Sequence, residues 1–342
     1  MMISRTARIA IVLITLIAIS GHSEAQQNKT GYDIVQLPSQ YATNYGAKSI
    51  NNQGQIVGSY SIPPNPISVV HATVWHAGVL TDLGTLGGAV SVGMGINNKG
   101  DVVGSSETNS NTTHAFLWSD GSMSDLGTIG TASSAALAIN NRGQIVGYLS
   151  FPSPLNVSHV ALWDNGRLID LGTGPFTSAS AFAINDNGQI VGLGTLPSND
   201  YHAFLWENGV MTDLGTLGGN ISNATGINNS GQIVGYSMTA VGYFLHAVLW
   251  EHGSIKDLGT PDSDSEAFAI NDRGEIIGRA QFPYLNTPTF AAIWKDGILN
   301  DLGTIPGGYA TIAHGINNRG EVVGVAEGGS PYAYVPLLWI PH

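Results

Sequence analysis

Cysteine is absent from all 342 residues. That single absence excludes a disulfide framework, a thiol nucleophile, Cys-ligated zinc and a lipid-modified N-terminal cysteine. Charge is also scarce: Asp, Glu, Lys and Arg make up 11% of the chain, and only 12 residues are basic against 24 acidic. So weak a basic complement argues against nucleic acid, which needs cations to neutralise phosphates, and equally against an anionic membrane surface. No motif of a serine hydrolase elbow, a zincin helix or a phosphate loop occurs. Long apolar runs are missing apart from one near the start. Residues 9–19 are apolar apart from Thr15, Arg5 and Arg8 precede them, and Ser23-Glu24-Ala25 offers small residues where a signal peptidase reads. The run falls short of the roughly 20 residues a membrane helix needs, so residues 1–25 read as a signal peptide. Its removal takes Arg5, Arg8 and Glu24 from the 12 and 24 above, leaving 10 basic and 23 acidic residues. The expected location is secreted or periplasmic, with no membrane insertion after cleavage.

What is present is glycine, 45 residues of it, arranged with Asn, Ser and Thr in a recurring phrase. The phrase reads Ile-Asn-Asn-x-Gly-Gln-Ile-Val-Gly, a variable loop, His-Ala-Phe-Leu-Trp, then Asp-Leu-Gly-Thr. Its anchor isoleucines are Ile50, Ile96, Ile139, Ile184, Ile227, Ile270 and Ile316, at spacings of 46, 43, 45, 43, 43 and 46 residues. A fixed period of this size marks a repeat architecture in which each unit buries its faces against neighbours. Each period parses into four short strands joined by turns whose Asn and Gly supply left-handed dihedrals. The third strand is nearly all apolar, as a strand covered on both faces requires.

The phase of the repeat suggests how the ends meet. The mature chain begins on Tyr32-Asp33-Ile34-Val35-Gln36-Leu37, which matches a fourth strand, and ends just after Trp339 with that strand missing. The expectation is an all-β fold: a seven-bladed β-propeller of four-stranded antiparallel blades over residues 26–342, one domain, its ring closed by the N-terminal strand. Small residues stand one and three places before every anchor, for example Ala138 and Ala136. Period-two alternation puts them on one face of the innermost strand, where strands converge on an axis. The short turns share one face of the disc, and the variable loops and inter-blade connections share the other, which is the expected functional face.

On these motifs the chain resembles the HAF-repeat family of bacterial extracellular proteins. The triplet is intact at His114-Ala115-Phe116 and His202-Ala203-Phe204 and drifts elsewhere; blades six and seven lack the His. The resemblance covers the mature chain and implies export and tandem repeats. It implies no settled activity, so no catalytic residue carries over. Some members of the family end in a Pro-Glu-Pro sorting segment. This chain stops at the repeat, so release rather than anchoring is expected.

The repeated residues His114, His202, Trp118, Trp206, Asp125 and Asp213 read as structural, because seven equivalent rim positions cannot converge on one site. A His–Asp or Asp–backbone bond at each outer edge is the expected arrangement. Asn185-Asp186-Asn187-Gly188 faintly resembles a calcium loop, but most copies lack an acid, and calcium prefers several carboxylates; no metal or cofactor is expected. The residue two before the anchor should face the adjacent blade. It is mostly apolar, yet Lys48 and His314 occupy it in blades one and seven, which adjoin in a closed ring. Asp262, Asp264 and Glu266 cluster three acids in one connection. Tyr60, Tyr148, Tyr201, Tyr236, Tyr243 and Tyr284 read as loop aromatics suited to sugar stacking. The expected function is non-catalytic binding of a glycan, cell-envelope or protein partner, by a monomer, through the variable loop face. The alternative is a carbohydrate-active hydrolase or lyase with two carboxylates about 5 to 10 Å apart at the axial mouth.

Overall fold

A computed structural model describes residues 31–38, 46–62, 69–260, 262–282, 288–327 and 334–342, and every regular element in them is a β-strand. The expected signal peptide, residues 1–25, lies outside the described residues. Consecutive strands pair antiparallel, beginning with Ala47–Ile50, Ile56–Ser61, Val70–His76 and Val79–Asp82. The strands form three four-stranded and two eight-stranded sheets. Separate four-stranded sheets throughout were expected, and the two larger sheets depart from that. Their cause is local. The first strands Gly87–Ile96 and Gly218–Ile227 start early, at a Gly-Gly pair, and run ten residues. Their early ends therefore reach the preceding third strand and pair parallel to it at one position, Val90 with Val70 and Ile221 with Tyr201.

The N-terminal strand Tyr32–Gln36 lies antiparallel to the C-terminal strand Tyr334–Pro341, in the register Tyr32 to Pro341 through Gln36 to Leu337. It is the outer strand of a sheet that continues through Val322–Glu327 to Thr311–Ile316. Leu37 N extends the pairing onto Pro336 O at 2.9 Å. The first and last described strands thus share one sheet.

The first strand of every repeat carries a β-bulge at the residue two before the anchor, for example Leu137 between Ala136 and Ala138, and likewise at Lys48 and His314. A bulge inserts one unpaired residue and breaks the two-residue alternation. That overturns the expected single face of small residues. Ala136, Ala181, Ala224, Ala267 and Ala313 are fully buried, whereas Ala138, Ala183 and Ala269 are half-buried. The two small positions have separate causes. A Cβ on Gly315 would stand 3.0 Å from Ser49 Cα, and one on Gly226 would stand 3.1 Å from Ala269 Cα, so the position before the anchor is where innermost strands approach one another. A Cβ on Gly93 would instead meet Val57 and Gly58 of the preceding repeat.

The bulge also accounts for the glycine of Ile-Val-Gly. It turns a first-strand carbonyl into the space a side chain would fill: a Cβ at Gly235 would lie 1.8 Å from Asn223 O, and one at Gly147 would lie 1.9 Å from Ala135 O. Only hydrogen fits there.

The core lies between repeats rather than within one. Val57, Ala72 and Val74 pack on Ile96, Val102 and Phe116 of the next repeat. Val323 of the last sheet packs with Ala47, Ile50 and Trp75 of the first. Tryptophans add a directional tie: Trp163 Nε1 donates to Leu126 O and Trp294 Nε1 to Leu258 O, each a carbonyl of the preceding repeat. Where the triplet keeps its phenylalanine, Phe116 and Phe204 are fully buried and their partners Trp118 and Trp206 are only half-buried. Phe and Trp compete for one space over the Gly, since Phe116 lies against the Gly104 Cβ position as Trp75 does against that of Gly58.

Candidate functional site

The first Asn after each anchor is buried, and its side chain closes its own turn. Asn228 Oδ1 accepts from Ser230 N and Gln232 N at 3.1 and 3.0 Å. Its Nδ2 donates to Gln232 Oε1 and also reaches forward to Asn271 O at 3.1 Å. The same forward bond joins Asn51 to Asn97, Asn97 to Asn140, Asn140 to Asn185, Asn185 to Asn228 and Asn271 to Asn317. Asn317 Nδ2 donates to Asn51 O at 3.0 Å, so the series returns to its start. The next residue forms a second series, in which each backbone N–H donates to the following repeat's side chain; Asn52 to Asn98 and Asn318 to Asn52 are its ends. Together the seven Ile-Asn-Asn or Ile-Asn-Asp segments line a polar cavity of about 170 Å³. Sequence spacing identifies these turns but hides that their side chains bond across repeats. The one signal available is that the first Asn never varies, although a turn alone would tolerate Asp, Ser or Gly. Asn228→Ala should leave the backbone N–H groups of Ser230 and Gln232 without their acceptor and Asn271 O with only its bond from Gly274 N. An expected loss of about 3 kcal/mol is readable by urea denaturation, with the cavity's geometry as the only thing altered.

Two repeats place Asp at the second position, and the structure brings these acids together. Asn229 Nδ2 donates to Asp186 Oδ2 at 3.3 Å and to Asp272 Oδ2 at 3.2 Å, so the carboxylates lie within two hydrogen-bond lengths of each other. Each is also held by amides on its other side, Asp186 by Asn141 N and Nδ2 and Asp272 by Asn318 Nδ2. Every one of these groups is a donor to the acid. Among the described residues no group of three His, Asp or Glu is placed to hold a metal.

Lys48 and His314 meet across the first and last sheets. His314 Nδ1 donates to Ala47 O at 2.9 Å, the carbonyl beside Lys48, and its ring lies 6.4 Å from that of Phe268. Burial, then the Lys48 charge, push the imidazole down to about 3, against the raising effect of the Ala47 bond; the ring is therefore neutral. Burial also lowers the Lys48 amine from its ordinary value.

The rim residues pair within their own repeats. His114 Nδ1 lies 2.8 Å from Asp125 and His202 Nδ1 lies 2.8 Å from Asp213, and the same pair forms at His71, His159 and His246. Each Asp also accepts from the backbone of its Gly, as Asp213 does from Gly215 N. In the last repeat, where Val335 replaces His, the C-terminal His342 takes the role with Asp33 at 3.2 Å. In the sixth, Phe290 supplies no partner, and burial raises the Asp301 carboxyl despite the Gly303 N–H.

Two expected clusters dissolve. Asp262 is exposed, Asp264 accepts from Leu245 N at 3.0 Å, and Glu266 is buried in strand Ser265–Ile270, bonded to Arg279. The strand's alternation points the last acid inward, so the three do not converge. Tyr60, Tyr148 and Tyr236 are not loop aromatics, because they stand on second strands. The hydroxyls of two are tied, Tyr236 to Asn223 and Tyr60 to Asp82. Tyr284 lies outside the described residues. Tyr201, which opens the third strand Tyr201–Glu207 and so is not a loop aromatic either, and Tyr243 remain exposed, at 46% and 79%, and Phe282 and Tyr309 join them at 50% and 65%. Antiparallel order puts all four on the face opposite the Asn turns.

No protein-family model and no curated protein sequence matches the chain. Similarity to solved structures is extensive at the level of fold. The β-propeller domain of the Trilobed protease from Pyrococcus furiosus, described as having an open velcro topology, aligns with a TM-score of 0.59 at 12% identity, over 88% of this chain and 96% of that one. A puromycin-hydrolysing peptidase of Mycobacterium tuberculosis aligns at 0.60 and 11%, over 90% of this chain but only 54% of the peptidase. TolB of Acinetobacter baumannii aligns at 0.51 and 10%, over 71% and 61% respectively. At such identities the likeness speaks to fold alone. The chain has the all-β fold of a β-propeller.

Proposed function

We propose that the chain is an extracytoplasmic, HAF-type, seven-bladed propeller that binds glycan through its loop face without catalysing a reaction. Splitting each eight-stranded sheet at its single parallel residue pair gives two four-stranded blades, and hence seven in all. Closure is supported by the pairing of Tyr32–Gln36 with Tyr334–Pro341 and by the bond from Asn317 back to Asn51. The observation that carries the binding reading is the grouping of Tyr201, Tyr243, Phe282 and Tyr309, all well exposed, on the one face whose loops vary. Exposed apolar groups gathered on a rigid frame mark contact surfaces, and tyrosine offers a flat apolar ring with a polar tip. The opposite face has its recurring Asn and Asp groups committed to neighbouring repeats.

Retention of the purified chain on a panel of immobilised polysaccharides tests the proposal. Saturable retention without soluble product is expected, weakened at least about tenfold in Tyr201→Ala/Tyr243→Ala, in line with the loss of aromatic anchors. Retention untouched by that double variant would move the site elsewhere, and retention on no polysaccharide would favour a protein partner. A second reading, hydrolysis, is favoured by the closeness of Asp186 and Asp272. A general acid must carry a proton to donate, yet both carboxylates here accept from amides. Product release abolished by Asp186→Asn would establish the hydrolase and end the non-catalytic proposal.

A further inference from the structure

The polar cavity of about 170 Å³ is lined by all seven Ile-Asn-Asn or Ile-Asn-Asp segments. An apolar void of roughly 150 Å³ already admits benzene, so the space suits a ligand of about six heavy atoms. Its two sides differ, and the second position of each segment decides how. There Oδ1 always accepts from the backbone N–H of the preceding repeat. That bond settles which end of each amide is nitrogen. It leaves Nδ2, or Oδ2 of an Asp, for other partners.

From Asn141 to Asn318 these remaining ends alternate donor and acceptor. Asn141 Nδ2 donates to Asp186, Asn229 Nδ2 to Asp186 and Asp272, and Asn318 Nδ2 to Asp272. Asn52 and Asn98 break the alternation, two donors standing next to each other with no acceptor between them. Among the described residues neither Nδ2 has a hydrogen-bond partner. An Asp at either place would have supplied the acceptor, as it does in two other repeats, so the turn does not dictate the gap.

Asn229 stands three segments from Asn98 in one direction and three from Asn52 in the other. The unpaired amides therefore lie across the cavity from the two carboxylates that flank Asn229. Among the described residues neither carboxylate has an ion-pair partner; Arg273 and Arg319 of the same turns are bound to Glu275 and Glu321. A lone anion would be repelled by the acids, and a lone cation would leave the amides unpaired. A molecule carrying both charges complements both sides.

We propose that the cavity binds a small zwitterion, an α-amino acid with a short side chain. Its carboxylate accepts from Asn52 and Asn98 Nδ2, and its ammonium lies toward Asp186 and Asp272. No covalent step is involved. Asn141, Asn229 and Asp272 are exposed, so the cavity opens to solvent on the turn face. The site is separate from the loop face and does not depend on glycan binding there; it rests only on the ring reading.

Calorimetric titration of the full chain with L-alanine tests this, against propionate, which lacks the ammonium, and ethylamine, which lacks the carboxylate. Saturable binding of alanine is expected, with each analogue at least about tenfold weaker, the loss that a missing charged hydrogen bond brings. Asn98→Asp should weaken alanine at least about tenfold, since it turns a donor into an acceptor facing the ligand's carboxylate. It should keep a cooperative melting transition, because Asp already fills that turn position in two repeats. Asp272→Asn should narrow the gap between alanine and propionate at least about threefold by removing one repelling charge. No binding of alanine, an analogue that matches it, or unchanged alanine affinity in Asn98→Asp would overturn the proposal. If Asn98→Asp does not fold, the three ligands on the wild-type chain decide the matter. Failure of the ring reading is told apart by the strand deletion described below, which would then leave the melting temperature unchanged.

Discussion

A chain lacking residues 32–37 is expected to lose most of its folding stability. The deleted strand supplies five consecutive pairs with Tyr334–Pro341, the bond from Leu37 N to Pro336 O, and two well-buried side chains, Tyr32 at 3% and Leu37 at 9%. Burial of two large apolar side chains contributes about 2 to 3 kcal/mol each, and a ladder bond about 1 kcal/mol. A total on the order of 8 kcal/mol compares with the 5 to 15 kcal/mol by which whole domains are stable. The last sheet would also be left with an open edge, its apolar strand Tyr334–Pro341 free to pair with other chains. Loss of the cooperative thermal transition, with aggregation, is the expected calorimetric result. A synthetic peptide of residues 31–38 added in excess should restore the transition by mass action. An unchanged melting temperature would refute closure by the N-terminal strand.

Gly235→Ala should be nearly as damaging, although it adds one carbon. The new Cβ would stand 1.8 Å from Asn223 O, with Asn223 C and Ala224 Cα next nearest; all three are backbone atoms, so no flexible side chain can yield. Relief requires undoing the bulge at Thr225 between Ala224 and Gly226. That in turn displaces the Thr225 bond to Ala267 O and the approach of Gly226 to the next innermost strand. Overpacking a tight core ordinarily costs 1 to 3 kcal/mol; here at least about 3 kcal/mol is expected, because strand register moves with the atom. Gly209→Asn serves as the control. It sits at φ +83° with nothing within 4 Å of its Cβ position, and Asn tolerates that conformation, so its effect should stay below about 1 kcal/mol. Urea midpoints of the two variants compare them directly. Equal midpoints would mean that the glycine is not required by the bulge.

Much of this fold is legible from residues alone, and for a physical reason. A repeat states its local rules seven times over, so strand, turn and period emerge from any single copy and are checked by the rest. Ile227 through Thr260 suffices to parse four strands, and the matching phase of Tyr32 and Trp339 points to the pairing of the ends. The rim pairing of His202 with Asp213 follows similarly, since residues on adjacent strands of one hairpin have a register that chain order dictates.

Contacts between repeats were another matter. Nothing in a period-two pattern announces a bulge, and missing the one at Leu137 misplaces every small residue after it. The asparagine series depends on the distance between one turn and the next, which packing sets. Asp186 and Asp272, 86 positions apart, share an amide only because a repeat stands between them. Glu266, by contrast, left its expected acidic loop because the strand begins one residue earlier and turns it toward Arg279. Sequence by itself determined what each repeat is, through local propensity and alternation. Only the tertiary structure decided what the repeats do to one another, because the spacing of sheets around an axis is a property of their packed side chains and is written in no single copy.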